Sequence, residues 1–270
     1  MPAQTNHPSF PQPVEPTLVW RFMDLPRYLD IAARGRLFFS RQDKFRDTFE
    51  GEIPRLSRYG IAMQFRESEA KQLKENPNIR PNPGARALEG HFLDYLRNVR
   101  RENYISCWHM NSAESAAMWD LFGRDGSAIA FKTSYQRFRD CLPDYAYLGM
   151  VNYIDFDKQF FDLKNVFNPA MHKRKSFEHE KEIRAVINKF PNEFYGFDSD
   201  EAFSAAHELT DFGLTIPFDV NACVEEILIG PDAPPWFERM IKETNAKLSI
   251  ETPVRKSALY DVAAFRALDF

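Results

Sequence analysis

No apolar run in this 270-residue chain approaches the ~20 residues that a membrane-crossing helix needs. Its apolar residues come instead in short, aromatic-rich bursts, the form that strands take when turn residues bound them. The first is Leu18-Val19-Trp20-Arg21-Phe22, between Pro16 and Asp24. Asp24 can cap a following helix in which Leu25, Leu29 and Ala32 or Ala33 repeat at helical spacing, and Gly35 supplies a stop. Arg36-Leu37-Phe38-Phe39-Ser40 reads as the next strand. Residues 41 to 54 read as a structured loop ending at Pro54, and a polar helical region follows at about 56 to 75, broken by Pro77, Pro81 and Pro83. Leu88, Phe92, Leu96 and Val99 then mark one apolar helix face, so residues of about 56–100 are expected to form a surface helical insertion.

Beyond the insertion, strands are expected at 104–108, 127–131, 148–154, 183–187, 215–218, 226–229 and 248–251. Short helices are expected after Ser112 as cap, over 133–140, from Asn168-Pro169 toward His179, and after Pro234-Pro235. Helices and strands do not alternate strictly, and neither GxGxxG nor GxxxxGK[ST] occurs. The expectation is therefore an α+β fold, a mixed β-sheet core with peripheral helices. A hydrophobic content of 44%, with 25 Phe, 10 Tyr and 4 Trp, is enough for residues 17–270 to bury one core. Residues 1–16 carry five prolines and no hydrophobic segment, which reads as a flexible arm and not a signal peptide.

The formal net charge of −4 leaves no global basic field to attract nucleic acid. Cys107, Cys141 and Cys223 are far apart and lack CxxC or CxxH spacing, so no zinc site is expected. Three reduced thiols in a cytoplasmic protein are the expectation.

Four segments, in order, resemble a bacterial family known only as the domain of unknown function numbered 2971. They are Trp20-Arg21-Phe22; Leu37 to Ser40 followed by Phe45-Arg46-Asp47-Thr48-Phe49-Glu50; Ser106-Cys107-Trp108 with Met118-Trp119 and Gly126; and Lys173, Phe177, Glu180, Glu182 and Arg184. Arg46, Thr48, Phe122 and Phe177 depart from that family's usual asparagine, proline, tyrosine and tryptophan. The resemblance carries no activity with it.

Glu180-Lys181-Glu182-Ile183-Arg184 is the segment richest in chemistry. On a strand its two carboxylates and guanidinium would share one face, where they line a polar cleft or form a solvated charged edge. Asp47 and Glu50 sit in a loop between Phe45 and Phe49, either closing over a ligand or making a local turn. Trp119 packs in the core or stacks on a base, and His109 is a lone histidine able to act as acid or base.

The order Arg21, Ser40, Glu180-x-Glu182 is similar to the layout of ADP-ribosyltransferases. That resemblance implies NAD as substrate, with Arg21 on the pyrophosphate and Ser40 by the nicotinamide ribose. Glu182 or Glu180 would then be catalytic at the ribose 2′-hydroxyl, with Asp47, Glu50, Trp119 and Arg184 around the nucleotide. A protein or nucleic-acid acceptor would follow, in a toxin or phage-defence setting. Two other classes stand beside it: a metal-dependent nuclease or nucleic-acid-binding effector, on the paired carboxylates and scattered basic runs such as Lys173-Arg174-Lys175, and a non-catalytic ligand sensor or scaffold whose charged rows are structural.

Overall fold

Asp24 and Gly35 bracket the first helix as their chemistry requires. The Asp24 carboxylate accepts the Arg27 backbone N–H at 3.0 Å, and Gly35 closes the helix at φ 59°. The computed structural model describes residues 2–14, 16–76, 84–123, 126–163, 165–189 and 199–261. In chain order these form β1 (Leu18–Met23), α1 (Leu25–Arg34), β2 (Arg36–Arg41), α2 (Arg55–Glu75), α3 (Gly84–Asn98), β3 (Asn103–Met110), α4 (Ala116–Phe122) and β4 (Ile129–Ser134). Next come α5 (Tyr135–Cys141), β5 (Tyr147–Met150), β6 (Asn152–Ile154), α6 (Asn168–Met171), β7 (His172–Arg174), β8 (Glu182–Asn188), α7 (Asp200–Ala206) and β9 (Glu208–Thr210). The chain closes with β10 (Gly213–Pro217), α8 (Val220–Cys223), β11 (Glu226–Ile229), α9 (Pro235–Lys247) and β12 (Val254–Lys256). Short 3-10 turns occupy Gln42–Lys44, Val99–Arg101 and Lys175–Glu180.

Ten strands make one mixed sheet in which β11 and β12 are parallel; β6 and β7 form a separate parallel pair. The sheet forks at β3. One edge of β3 pairs with β8 along its whole length, from Asn103↔Asn188 to His109↔Glu182. Its other edge is shared: β1 pairs at His109 and Met110, and β2 at Tyr104 and Ile105. β5 closes over the far side of β8, so β8 is buried along its length.

The two faces of the sheet bury different things. One holds the main core, including Val19, Leu37, Phe39, Trp108, Phe131, Ile183 and Ile187, under side chains of α1, α5, α8 and α9. The other carries two aromatic clusters: Phe10, Tyr147 and Phe167 on one side, Trp20, Phe22 and Trp119 on the other. Between them stand Cys107, His109, Glu182 and Arg184, placed on this face by the β3–β8 register.

Several expectations are corrected. The arm at 1–16 is docked in the described part. Gln4 bridges Tyr147, and Phe10, 1% exposed, stacks on Tyr147 and meets Phe167 edge-on. Gly149 permits this, since a Cβ there would lie 2.6 Å from Phe10 Cα. Its prolines therefore mark an extended, packed segment and not a free one. The cap of α4 is Ser115, not Ser112. The helix from Asn168 stops at Met171 and gives way to β7. The last strand is Val254–Lys256, because α9 runs on to Lys247. Cys141 and Cys223 form a disulfide with Cα atoms 5.8 Å apart, leaving Cys107 as the free thiol. The insertion is the pair α2 and α3, where Ile61 and Phe65 meet Phe92 and Leu93; Leu88 and Leu96 lie outside the described side chains.

Candidate functional site

β8 delivers Glu182 and Arg184 to the second face. Arg184, fully buried, spreads its guanidinium over three partners. Nε donates to Glu182 at 2.5 Å, Nη1 and Nη2 grip Glu50 at 3.1 and 2.9 Å, and Nη1 also donates to the Ala170 carbonyl at 2.6 Å. The bidentate grip is the geometry that favours Arg over Lys. Lys173, from β7, directs its ammonium at three carboxylates: Glu182 at 2.6 Å, Glu180 at 2.7 Å and Glu50 at 3.3 Å. Three carboxylates thus meet two cations in a largely buried space, so one proton would balance the cluster.

Within the Glu180–Glu182 pair, Glu180 is the readier to hold a proton. Burial and the neighbouring Glu182 push the Glu180 carboxyl up to about 7, against the pull of Lys173. Burial also opposes ionisation of Glu182, but Arg184, the bond from Glu180 and Lys173 outweigh it and hold Glu182 well below the usual carboxylate range. Two adjacent carboxyls pushed apart in this way have the electrostatics that acid–base chemistry needs. Glu180 is also the one nearest solvent: its side chain is 18% exposed, against 7% for Glu182 and 2% for Glu50.

The two glutamates do not alternate along a strand, as the sequence suggested. Glu180 ends a 3-10 turn, Lys181 adopts a left-handed conformation, and β8 begins at Glu182. The solvated-edge reading is thereby excluded, since β8 is interior. Asp47 makes the local turn and also forms an ion pair. It accepts the Phe49 backbone N–H at 3.1 Å and binds Arg174 through both oxygens at 2.9 and 3.0 Å. Arg174 lies 4.1 Å over the half-exposed Phe49 ring and 5.2 Å from Phe177, forming a cation–aromatic rim beside the cluster.

Three candidates are not brought to this place. Trp20 pairs with His109 and His109 with Glu182, so the alternation of β1 turns Arg21 to the opposite face from Glu182. There Arg21 fills the fork between β1 and β2, donating to Ser106 Oγ at 2.6 Å and to the Cys107 and Phe38 carbonyls at 3.3 and 3.5 Å. Ser40 shares the face of Glu182 but pairs with Ile105 on β3. Two strand spacings and four residues of rise put it on the order of 16 Å from Glu182. Trp119 is packed against Phe22, 3% exposed, with its indole N–H on Glu114; it has no open face for a base.

Tyr153 stands in none of the segments that carry chemistry in the sequence, and Lys173 only within the family-like one and a basic run. Tyr153 lies on β6, and its hydroxyl accepts the Glu182 backbone N–H at 2.7 Å. The pairing of β7 with β6 sets Lys173 beside Tyr153, and its ammonium meets Glu182. Cys107 neighbours Arg184 across the ladder, but burial and Glu182 push its thiol up, so it is no nucleophile at neutral pH. Among the described residues no group of three His, Cys, Asp or Glu side chains is arranged to hold a metal ion, and no helix is long and apolar enough to cross a membrane. Surface grooves of about 790 and 810 Å³ lie along Gln12–Leu18 and along α2, and neither is lined by Glu180 or Glu182. Set against protein-family models, curated proteins and solved structures, the chain shows no match.

Proposed function

We propose that this chain is an enzyme acting at the ribosyl bond of a nucleotide, with NAD as the substrate, in the manner of an NAD glycohydrolase or ADP-ribosyltransferase. The observation that carries the reading is the Glu180–Glu182 pair on one lysine, with one carboxyl titrating near neutrality and the other held ionised. In hydrolysis the bond from ribose C1′ to the nicotinamide nitrogen breaks, and its electrons leave with neutral nicotinamide. Water adds to C1′, and its proton passes to ionised Glu180, the carboxyl that reaches the surface. In transfer, a hydroxyl or amine of a protein or nucleic-acid acceptor replaces the water. Glu182, Arg184, Lys173 and Glu50 form the charged bed behind Glu180. The Phe49 ring offers a stacking surface and Arg174 a phosphate partner. Arg21 and Ser40 take no part in this version.

A metal-dependent nuclease has less support, because its carboxylates are already bonded to Lys173 and Arg184. A non-catalytic scaffold is favoured by one fact, the complete enclosure of Arg184. The deciding measurement is nicotinamide release by the purified protein, alone and beside Glu180→Gln and Glu182→Gln. Release that falls at least 100-fold in Glu180→Gln supports the enzyme, with the wild-type rate falling away below a pH of about 7 as Glu180 takes up its proton. Absence of release and of NAD binding in the wild type leaves the scaffold.

A further inference from the structure

The two carboxylates meet on one ammonium only because the chain turns sharply between them. Lys181, a non-glycine residue, sits at φ 40° and ψ 53°. Such a turn persists only where its surroundings hold it. Four hydrogen bonds do so here. Lys181 N–H donates to the Glu178 carbonyl at 3.2 Å, Met110 N–H to the Lys181 carbonyl at 2.9 Å, and Glu182 N–H to Tyr153 at 2.7 Å. The fourth joins His109 Nδ1 to the Glu180 carbonyl at 2.6 Å.

A carbonyl can only accept, so Nδ1 carries the proton and Nε2 is left with its lone pair. Among the described residues the buried Nε2 has no hydrogen-bond partner, and the residue is 3% exposed. The single polar contact that His109 makes is therefore spent on the carbonyl of Glu180. Burial lowers its affinity for a proton, which favours the neutral ring.

We propose that His109 is a positioning residue for the carboxylate pair, its Nδ1–H holding the Glu180 carbonyl so that the turn at Lys181 presents Glu180 and Glu182 to the same Lys173 ammonium. The inference rests on the reading of that pair as the reacting groups. The charged and titratable groups facing Glu180 are Glu182, Lys173 and, behind them, Glu50 and Arg184; Lys181 and His179 lie by His109, and Tyr153 by Glu182. Loosening the turn withdraws Glu180 from Glu182 and from burial, and its titration moves down toward that of an ordinary glutamate.

The test is carboxyl carbon NMR of glutamate-labelled protein, with the Glu180 signal assigned by its loss in Glu180→Gln. Wild type titrates at about 7. In His109→Leu the Glu180 midpoint falls by at least one pH unit, and the pH profile of nicotinamide release moves with it. His109→Asn, whose amide N–H takes the place of Nδ1–H, restores the wild-type midpoint. His109→Gln, whose amide reaches the Nε2 position, behaves as the leucine variant does. An unmoved midpoint in the leucine variant, or an asparagine variant that fails to restore it, overturns the proposal. Nitrogen NMR of the wild-type ring needs no variant to fold: a protonated Nδ1 and bare Nε2 agree with the proposal, and the opposite tautomer ends it. Failure to turn over NAD would remove the proposed function and leave the carboxyl titration to decide the role of His109.

Discussion

At the scale of single residues the molecule is set by how Arg184 is paired. A guanidinium with no exposure must have its donors met, and Glu50, Glu182 and the Ala170 carbonyl meet them. Arg184→Met leaves Glu50 and Glu182 short of a cation in a closed space. It should lower the unfolding free energy by about 3–5 kcal/mol, read from urea midpoints at pH 7. A loss below about 1 kcal/mol would mean that water reaches the cluster. Glu180 acts in the opposite sense on the pH scale. Its folded pKa, raised to about 7, lies above that of the unfolded chain, so the folded form holds a proton that the unfolded form gives up. Its contribution is complete at low pH and disappears as pH rises through about 7. Glu182 is held low, and His109 and His172 are lowered by burial; each contributes stability that is lost as pH falls. Glu180→Gln should therefore remove the decline in stability between pH 5 and 7 while leaving the acid-side loss in place. Wild-type and Glu180→Gln curves that run parallel over that interval would show that Glu180 is ionised there. The sequence made Glu180, Glu182, Arg184, Asp47 and Glu50 legible because charge at short spacing is visible in a string. The partners of Lys173, His109 and Tyr153 were not, because they come from other strands and depend on register.

At the scale of elements the arm and the fork decide where these residues stand. Phe10 fills the space between Tyr147 and Phe167, on the same face as Glu182 and against Gly149 of β5. Phe10→Ala should cost about 3–5 kcal/mol by opening a cavity there. It should also make residues 2–14 sensitive to limited proteolysis, whereas unchanged cleavage would argue that other arm contacts suffice. The short strands and the first helix were readable because Asp24, Gly35 and the apolar-aromatic runs act locally. The docking of the arm was not, since five prolines describe a backbone that cannot join a helix and say nothing about whether a phenylalanine finds a pocket. The fork was equally hidden. Pattern places β1 and β2 one after the other, but that they share one edge of β3 follows from pairing. Arg21 is where this matters most. It reads as a ligand-binding cation, yet it meets the carbonyls of Cys107 and Phe38 where the two strands part.

At the scale of the whole molecule, one covalent link ties together parts of the chain that the order of elements keeps apart. Cys141 ends α5 and Cys223 lies in α8, 82 residues on, and both helices cover the main core beside the β4–β11 ladder. The expectation of three reduced thiols came from an assumed reducing compartment and from an odd, widely spaced set of cysteines, and neither shows which side chains meet. Disulfides persist where surroundings are oxidising, so the bond takes away the footing of that expectation. Closing a loop of this length restricts the unfolded chain by about 4.5 kcal/mol in the chain-entropy relation. Reduction should therefore lower the thermal midpoint by on the order of 10 °C in a chain of this size. Cys141→Ser should show the lower midpoint without reductant and gain nothing further from it. Thiol counting in denaturant without reductant should find one reactive group, Cys107. A count of three, with a midpoint indifferent to reductant, would mean that the two helices are held by packing alone.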